Sequence, residues 1–269
     1  MAVYRCEVKR ISRSSGRSAV AAAAYRSASR LHDERSDKSH DYSRKARGVA
    51  ARGIVAPEHA PSWAHDREQL WNAAEAAERR KDANTAREVL VSLPHELDDA
   101  QRVELVERFS GDLVNRYGMV VDYAIHHPDR RGDNRNHHAH LMLTTRRMGR
   151  DGLQEKTREL DDRTTGPKEI EEIRRLWENE QNRALDHADL NERVSRLSNK
   201  ARGIELEPEP KIGHQANAML RRGVVTPFAL HTQQVRQRNA SMRENMRRQA
   251  EEKRRQPRGA QRGGGGHLR

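Results

Sequence analysis

Histidines crowd one short stretch of the chain, AIHHPDRRGDNRNHHAHLMLTTR. His126 and His127 precede a polar loop, and His137, His138 and His140 follow it. Two apolar runs flanking a loop of Asp, Asn, Gly and Arg predict strand, loop, strand. Strand side chains alternate between faces, so parity sorts the imidazoles. Val121, Tyr123 and Ile125 share an apolar face on the first strand, as do Ala139, Leu141 and Leu143 on the second. His126, His138 and His140 then point away from the core, at the same end of the strand pair. His127 and His137 have the opposite parity unless a bulge shifts the register. Three neutral imidazoles converging from adjacent strands make a metal site with open coordination positions. The alternative is chance clustering in a chain with 14 histidines.

Two further side chains could do chemistry beside such an ion. Tyr25 lies within the Ala-rich segment AVAAAAYRSASRL. Small residues at helical neighbours Ala21, Ala22, Ala28 and Ser29 leave its hydroxyl reachable; the competing reading is a core anchor. A phenol with a pKa near ~10 is a weak nucleophile at neutral pH and needs electrostatic help. Glu88 sits opposite in parity to Val89, Val91 and Leu93, on the face assigned to the histidines. It could accept the second ring N–H of a ligand histidine or take a proton from Tyr25. Orientation is the preferred role, because three histidines already fill the ligand set; a solvated Glu on a sheet face is the alternative.

The histidine run, the early Tyr on an Ala-rich segment and the Glu-bearing strand between them resemble MobA/MobL-type relaxases, members of the HUH endonucleases. The resemblance covers about residues 1–200. It implies a single nucleophilic tyrosine, Tyr25, attacking a DNA phosphate to leave a 5′-phosphotyrosine and a free 3′-OH, a step that can reverse. It implies a divalent metal: phosphoryl transfer points to Mn²⁺ or Mg²⁺, while imidazole donors suit Mn, Zn, Ni or Cu better than Mg. It also implies plasmid origin-of-transfer DNA, hairpin plus single strand, as substrate. Accessory relaxosome proteins and a secretion-system coupling protein would be the partners, and the bacterial cytoplasm the compartment, with export alongside DNA. Tyr42, in a charged stretch, reads as a DNA contact or as incidental. A rolling-circle replication initiator would use the same chemistry, a metal-dependent hydrolase would cut without a covalent adduct, and a non-catalytic basic nucleic-acid-binding protein would carry the histidines as structure.

Charge agrees with a polyanionic partner. The 269 residues carry a net +12 and a pI near 10.3, although Arg and Glu alternate enough to allow a solvated, salt-bridged surface. Arg130, Arg131 and Arg135 in the loop, Arg146 after the second strand and Arg17 before the Tyr25 helix are the expected DNA contacts. Five Tyr, three Trp and two Phe leave few rings for base stacking, and Trp63, Trp71 and Trp177 look like core residues, so binding should lean on phosphate charge. No apolar run approaches the ~20 residues of a membrane span, and MAVYRCEVKR lacks a leader's apolar centre. Cys6, the one cysteine, excludes an internal disulfide.

The elements that must position these groups follow from hydrophobic period and punctuation. Residues 2–11 alternate as a half-buried strand. Ser18 caps the Ala-rich helix, and residues 32–47 are charged and patternless, which predicts a mobile loop. Strands are expected near 48–56 and 85–93, and helices over 63–84 and from Asp98 to a stop at Gly118. A turn falls at 149–152. Helical spacing returns after Gly166-Pro167 and again near 191–202, followed by a Pro-bearing linker at 203–213 and helices near 215–222 and 226–254. The fold class is therefore α+β: a five-stranded antiparallel sheet with helices on one face, the histidine face open for DNA, and a helical C-terminal extension. The expected domains are 1–202, 203–256 and a disordered basic tail, 257–269.

Overall fold

The computed structural model describes residues 3–128, 134–210 and 212–255. Among the described residues nine strands form in chain order: β1 (Cys6–Ser12), β2 (Arg30–Asp33), β3 (Lys38–Asp41), β4 (Val49–Val55), β5 (Asn84–Ser92), β6 (Val121–His126), β7 (His138–Thr144), β8 (Arg146–Gly149) and β9 (Gly152–Lys156). Helices are α1 (Ala19–Ser27), α2 (Arg67–Ala76), α3 (Asp99–Tyr117), α4 (Gly166–His187), α5 (His214–Arg221) and α6 (Pro227–Arg255). Five strands make one antiparallel sheet in the order β1-β5-β7-β6-β4. The α+β class and the five-stranded sheet are as expected.

Alternation in the central strands builds the larger core. Leu141 pairs with Val89 on one side and Tyr123 on the other. These side chains meet Leu105, Phe109 and Leu113 of α3 and Ile173 and Trp177 of α4. A reciprocal capping box, Asp98 with Gln101, starts α3, and Gly118 ends it at φ 66°, a left-handed turn open to glycine without strain.

The opposite face is only partly open. Ile11, Ala86, Val120 and Met142 bury against Val20, Ala23 and Ala24 of α1 and Leu70 and Trp71 of α2. Helices thus pack on the expected face, and a second, smaller layer covers one end of the histidine face. Asp122 pins that layer: Arg67 donates to both its oxygens, at 2.8 and 2.7 Å, and Trp71 Nε1 donates at 2.8 Å.

Three expected elements differ. Residues 32–47 are not a loop. They contain the β2–β3 hairpin and a 3₁₀ turn over Ser43–Gly48, anchored by polar contacts that leave no apolar period. Asp33 accepts from Ser18 Oγ at 2.7 Å, and Asn72 Nδ2 donates to the His32 carbonyl at 2.8 Å. The helix expected over 63–84 begins after Asp66, whose side chain caps it, and stops at Ala76. Arg13 takes the carbonyls of Glu75, Glu78 and Arg80 at 2.6, 2.8 and 3.0 Å, satisfying groups that would otherwise wait for helical N–H donors. Residues 191–202 form no helix. Asn182 of α4 holds the Val194 backbone in both directions, at 2.9 and 3.1 Å.

The chain divides into two compact units between Arg196 and Leu197. In the second, Asn239 of α6 exchanges hydrogen bonds with the Glu207 backbone, so part of the Pro-bearing segment is strapped to that helix. Among the described residues, no helix is long and apolar enough to cross a membrane. The expected disordered tail, 257–269, lies outside the described residues.

Candidate metal centre and nucleophile

Strand register brings the imidazoles together. His126 ends β6 and faces His138, the first residue of β7, while His140 pairs with Ala124. Ring centroids lie 5.3, 5.0 and 5.4 Å apart, and one nitrogen from each ring lies within 4.8 Å of the others. His127 and His137 fall on the other side, as their parity requires. They gather with Asp99, whose carboxylate is already engaged by Arg102 at 2.7 Å.

Each ring of the first cluster has one nitrogen facing a protein acceptor. His126 Nε2 donates to the Arg26 carbonyl at 2.7 Å, His138 Nδ1 to the Asn136 carbonyl at 3.0 Å, and His140 Nδ1 to Glu88 Oε1 at 2.6 Å. A carbonyl or carboxylate only accepts, so these contacts put a proton on the facing nitrogen, and in the neutral ring the second nitrogen carries the lone pair. That is the donor set a divalent cation needs, with its outer hydrogen bonds already in place. Burial pushes His126 down to about 4 and lowers His138 as well, which keeps both neutral at physiological pH.

Glu88 is the hub behind the cage. It is 5% exposed. Burial alone would raise its carboxyl, but hydrogen bonds from His140 and from Arg26, the latter at 2.5 Å, outweigh it and hold the group well below the usual carboxylate range. Arg26 also donates to the Ala22 carbonyl at 3.0 Å. One residue of α1 therefore grips the cage twice, through its guanidinium at Glu88 and its carbonyl at His126. Sequence reading missed Arg26; its position directly after Tyr25 was the available signal.

Tyr25 is no core anchor: 48% of it is exposed. Alanines at 19, 23 and 24 and Val20 carry the buried face of α1, leaving the phenol outside. The next residue, Arg26, is the one bonded to His126 and Glu88. Tyr42 is not incidental. Its ring meets Tyr25 edge-on, centroids 5.2 Å apart at 84°, and Lys45 Nζ sits 4.1 Å from the Tyr25 ring centroid.

The expected DNA contacts separate. Arg17 lines a basic cleft with Arg35, Lys38, Arg79 and Lys81. Arg146 is spent within the fold: it donates to Glu78 at 2.9 Å and to the Gln154 and Ala77 carbonyls at 2.8 and 3.2 Å, tying β8 to the end of α2. The Arg135 carbonyl accepts from His137 N at 2.9 Å, beside the cage strand. Arg130 and Arg131 lie outside the described residues.

The sheet carries a three-histidine cluster, and an exposed tyrosine stands on the small-residue helix whose next residue bonds that cluster. The MobA/MobL family pattern matches residues 17–222, and the chain belongs to that family. The mobilization protein MobL of Acidithiobacillus ferridurans is 37% identical over 248 residues, 82% of this chain and 65% of that protein. A probable conjugal transfer protein TraA of Sinorhizobium fredii is 32% identical over 92% of this chain and 24% of its own length. The chain thus spans under two thirds of these curated relatives. A structure solved for the molecular basis of vancomycin resistance transfer in Staphylococcus aureus aligns with TM-score 0.65 at 33% identity, covering 73% of this chain and 100% of that one.

Proposed function

We infer that the chain is a relaxase that nicks one DNA strand at a plasmid origin of transfer and reseals it by reversing the step. The observation that carries this reading is the joint placement of a three-imidazole cage and an exposed phenol one residue from Arg26, which bonds His126 directly and Glu88, the acceptor for His140. One nitrogen of each ring lies within 4.8 Å of the others, close enough for the three to share one ion.

Residues His126, His138 and His140 would hold Mn²⁺ or Mg²⁺. Such an ion supplies Lewis-acid stabilisation of charge on phosphoryl oxygens. The chain's own groups do the rest. The Tyr25 hydroxyl oxygen attacks phosphorus, the bond from phosphorus to the 3′ oxygen breaks, and the products are a 5′-phosphotyrosyl end and a free 3′-OH. The phosphoester count is unchanged, so the 3′-OH can attack back and restore the strand. Glu88 stays ionised and accepts from His140, which fixes that ring; with Arg26 and His140 both on it, it is an orienting group rather than the base for Tyr25. Arg17 and its cleft would hold flanking phosphates, and Arg130, Arg131 and Arg135 belong to the same proposal from their position in sequence between the metal strands.

Relatives named for mobilisation and conjugal transfer support this setting for the chemistry. Hairpin and single-stranded origin DNA would be the substrate, accessory and coupling proteins the partners, and the cytoplasm the compartment before transfer. The test uses labelled single-stranded oligonucleotides tiling the DNA beside the coding sequence, incubated with protein and Mn²⁺. A covalent adduct on a denaturing gel, lost in Tyr25→Phe and reversed by added 3′-OH strand, is the expected result. Cutting without an adduct would instead identify a hydrolase.

A further inference from the structure

Beyond this reading, and resting on it, we propose that Lys45 is a catalytic residue: its ammonium fixes the attacked phosphate against Tyr25, while Tyr42 holds the phenol ring in place. The sequence around it, DYSRKARG, shows no period and no motif. The structure gives the segment a purpose. The 3₁₀ turn Ser43–Gly48 is stitched to both halves of the site. At one end Tyr42 N donates to the Ser29 carbonyl at 3.1 Å, just past the C-terminus of α1. At the other, His127 N donates to the Gly48 carbonyl at 3.0 Å, and Val49 pairs with His126. Lys45 N donates to the Tyr42 carbonyl at 2.8 Å, which sets the lysine one turn beyond the ring that touches Tyr25. Lys45 therefore projects from a bridge between nucleophile and cage.

The other cations bound near Tyr25 are occupied. Arg26 is consumed by Glu88 and the Ala22 carbonyl, and Arg52 by the Ser27 carbonyl and Ser29 Oγ. Lys45 is exposed, and among the described residues it makes no ion pair with a carboxylate; its contacts are the faces of Tyr25 and Tyr42, at 4.1 and 5.6 Å from the ring centroids. An ammonium over a tyrosine ring can still donate its hydrogens outward. A phosphate approached by the Tyr25 oxygen would meet that charge on its way to the cage. In the transfer step the Tyr25 O–P bond forms and the P–O3′ bond breaks. The phenol proton leaves to water and the 3′ oxygen takes one from water. Lys45 keeps its protons throughout and acts only by charge, on the phosphoryl oxygens where negative charge concentrates.

Single-turnover cleavage of the labelled strand by the full chain with Mn²⁺ tests this, using Lys45→Met and Lys45→Arg alongside Tyr25→Phe. Lys45→Met keeps the stem and removes the charge. It should slow adduct formation about 10- to 100-fold at saturating protein, change oligonucleotide Kd less than about threefold, and leave Tm unchanged because the side chain is exposed. Lys45→Arg, which restores the charge, should recover most of the rate. A Lys45→Met enzyme that matches wild type, or one whose loss disappears at saturating protein, overturns the proposal while leaving the relaxase reading intact. A wild-type chain that forms no adduct overturns the relaxase reading itself.

Discussion

At the scale of single residues, the site is a set of hydrogen bonds that decide which nitrogen faces where. Glu88 matters because it fixes His140, and Arg26 matters because it keeps Glu88 ionised and in place. Replacing Glu88 with Gln leaves an acceptor but removes the charge. Mn²⁺ affinity, read by calorimetric titration, should fall about 10- to 100-fold, the usual cost of losing a partner behind a metal ligand; an unchanged affinity would detach Glu88 from the cage. The buried imidazoles also make stability depend on pH. His126 is lowered from 6.5 to about 4 in the folded chain, so the unfolded chain takes up its proton first as pH falls. The stability it contributes is present above about 6.5 and is lost progressively toward about 4, with the depressed Glu88 adding a further loss below its ordinary 4.5. Urea midpoints measured in EDTA across that window should fall for wild type and fall less for His126→Gln. Equal slopes would mean the ring is not buried neutral.

At the scale of elements, one helix does the positioning. The N-terminal part of α1 packs with α2 over Ile11, Ala86 and Met142, and its last turn reaches the cage, where Tyr25 and Arg26 face different tasks. Asp122 locks α2, and with it this layer, to β6. Asp122→Ala strands Arg67 beside a buried site and should cost about 3–5 kcal/mol in denaturant unfolding; a loss under about 1 kcal/mol would show the ion pair to be dispensable. Much of this level was legible in the chain. Alternation in Val89, Val91, Ala139, Leu141 and Leu143 revealed the central strands, and parity alone separated His126, His138 and His140 from His127 and His137. What escaped was held by polar groups without a period. Asp33, Asn72 and Ser18 build the β2–β3 hairpin from a stretch that reads as solvated loop, and Arg13 ends α2 from 62 residues away in sequence. Long-range side-chain-to-backbone bonds of this kind leave no local trace, so the sequence shows Tyr42 without its contact to Tyr25.

At the scale of the whole molecule, charge and shape divide the labour. The net +12 is not uniform: many arginines are paired within the fold, as Arg146 is with Glu78 and Arg87 with Asp161, while Arg17, Lys38, Arg79 and Lys81 line one cleft beside the start of α1. Lys38→Glu with Lys81→Glu should weaken oligonucleotide binding and flatten its salt dependence by about one unit of log–log slope for each phosphate no longer neutralised, with the cleavage rate of bound strand unchanged. A salt slope identical to wild type would remove the cleft from the DNA path. The three histidines and the phenol lie within the first compact unit, so chemistry on a short strand should depend on residues before Leu197. The most direct measurement is peptide mass spectrometry of the protein after incubation with origin strand and Mn²⁺. A phosphonucleotide mass on the peptide containing Tyr25, absent when His126, His138 or His140 is replaced by Ala, is the expected result; a modification on any other residue, or cleaved strand with no modified peptide, contradicts it.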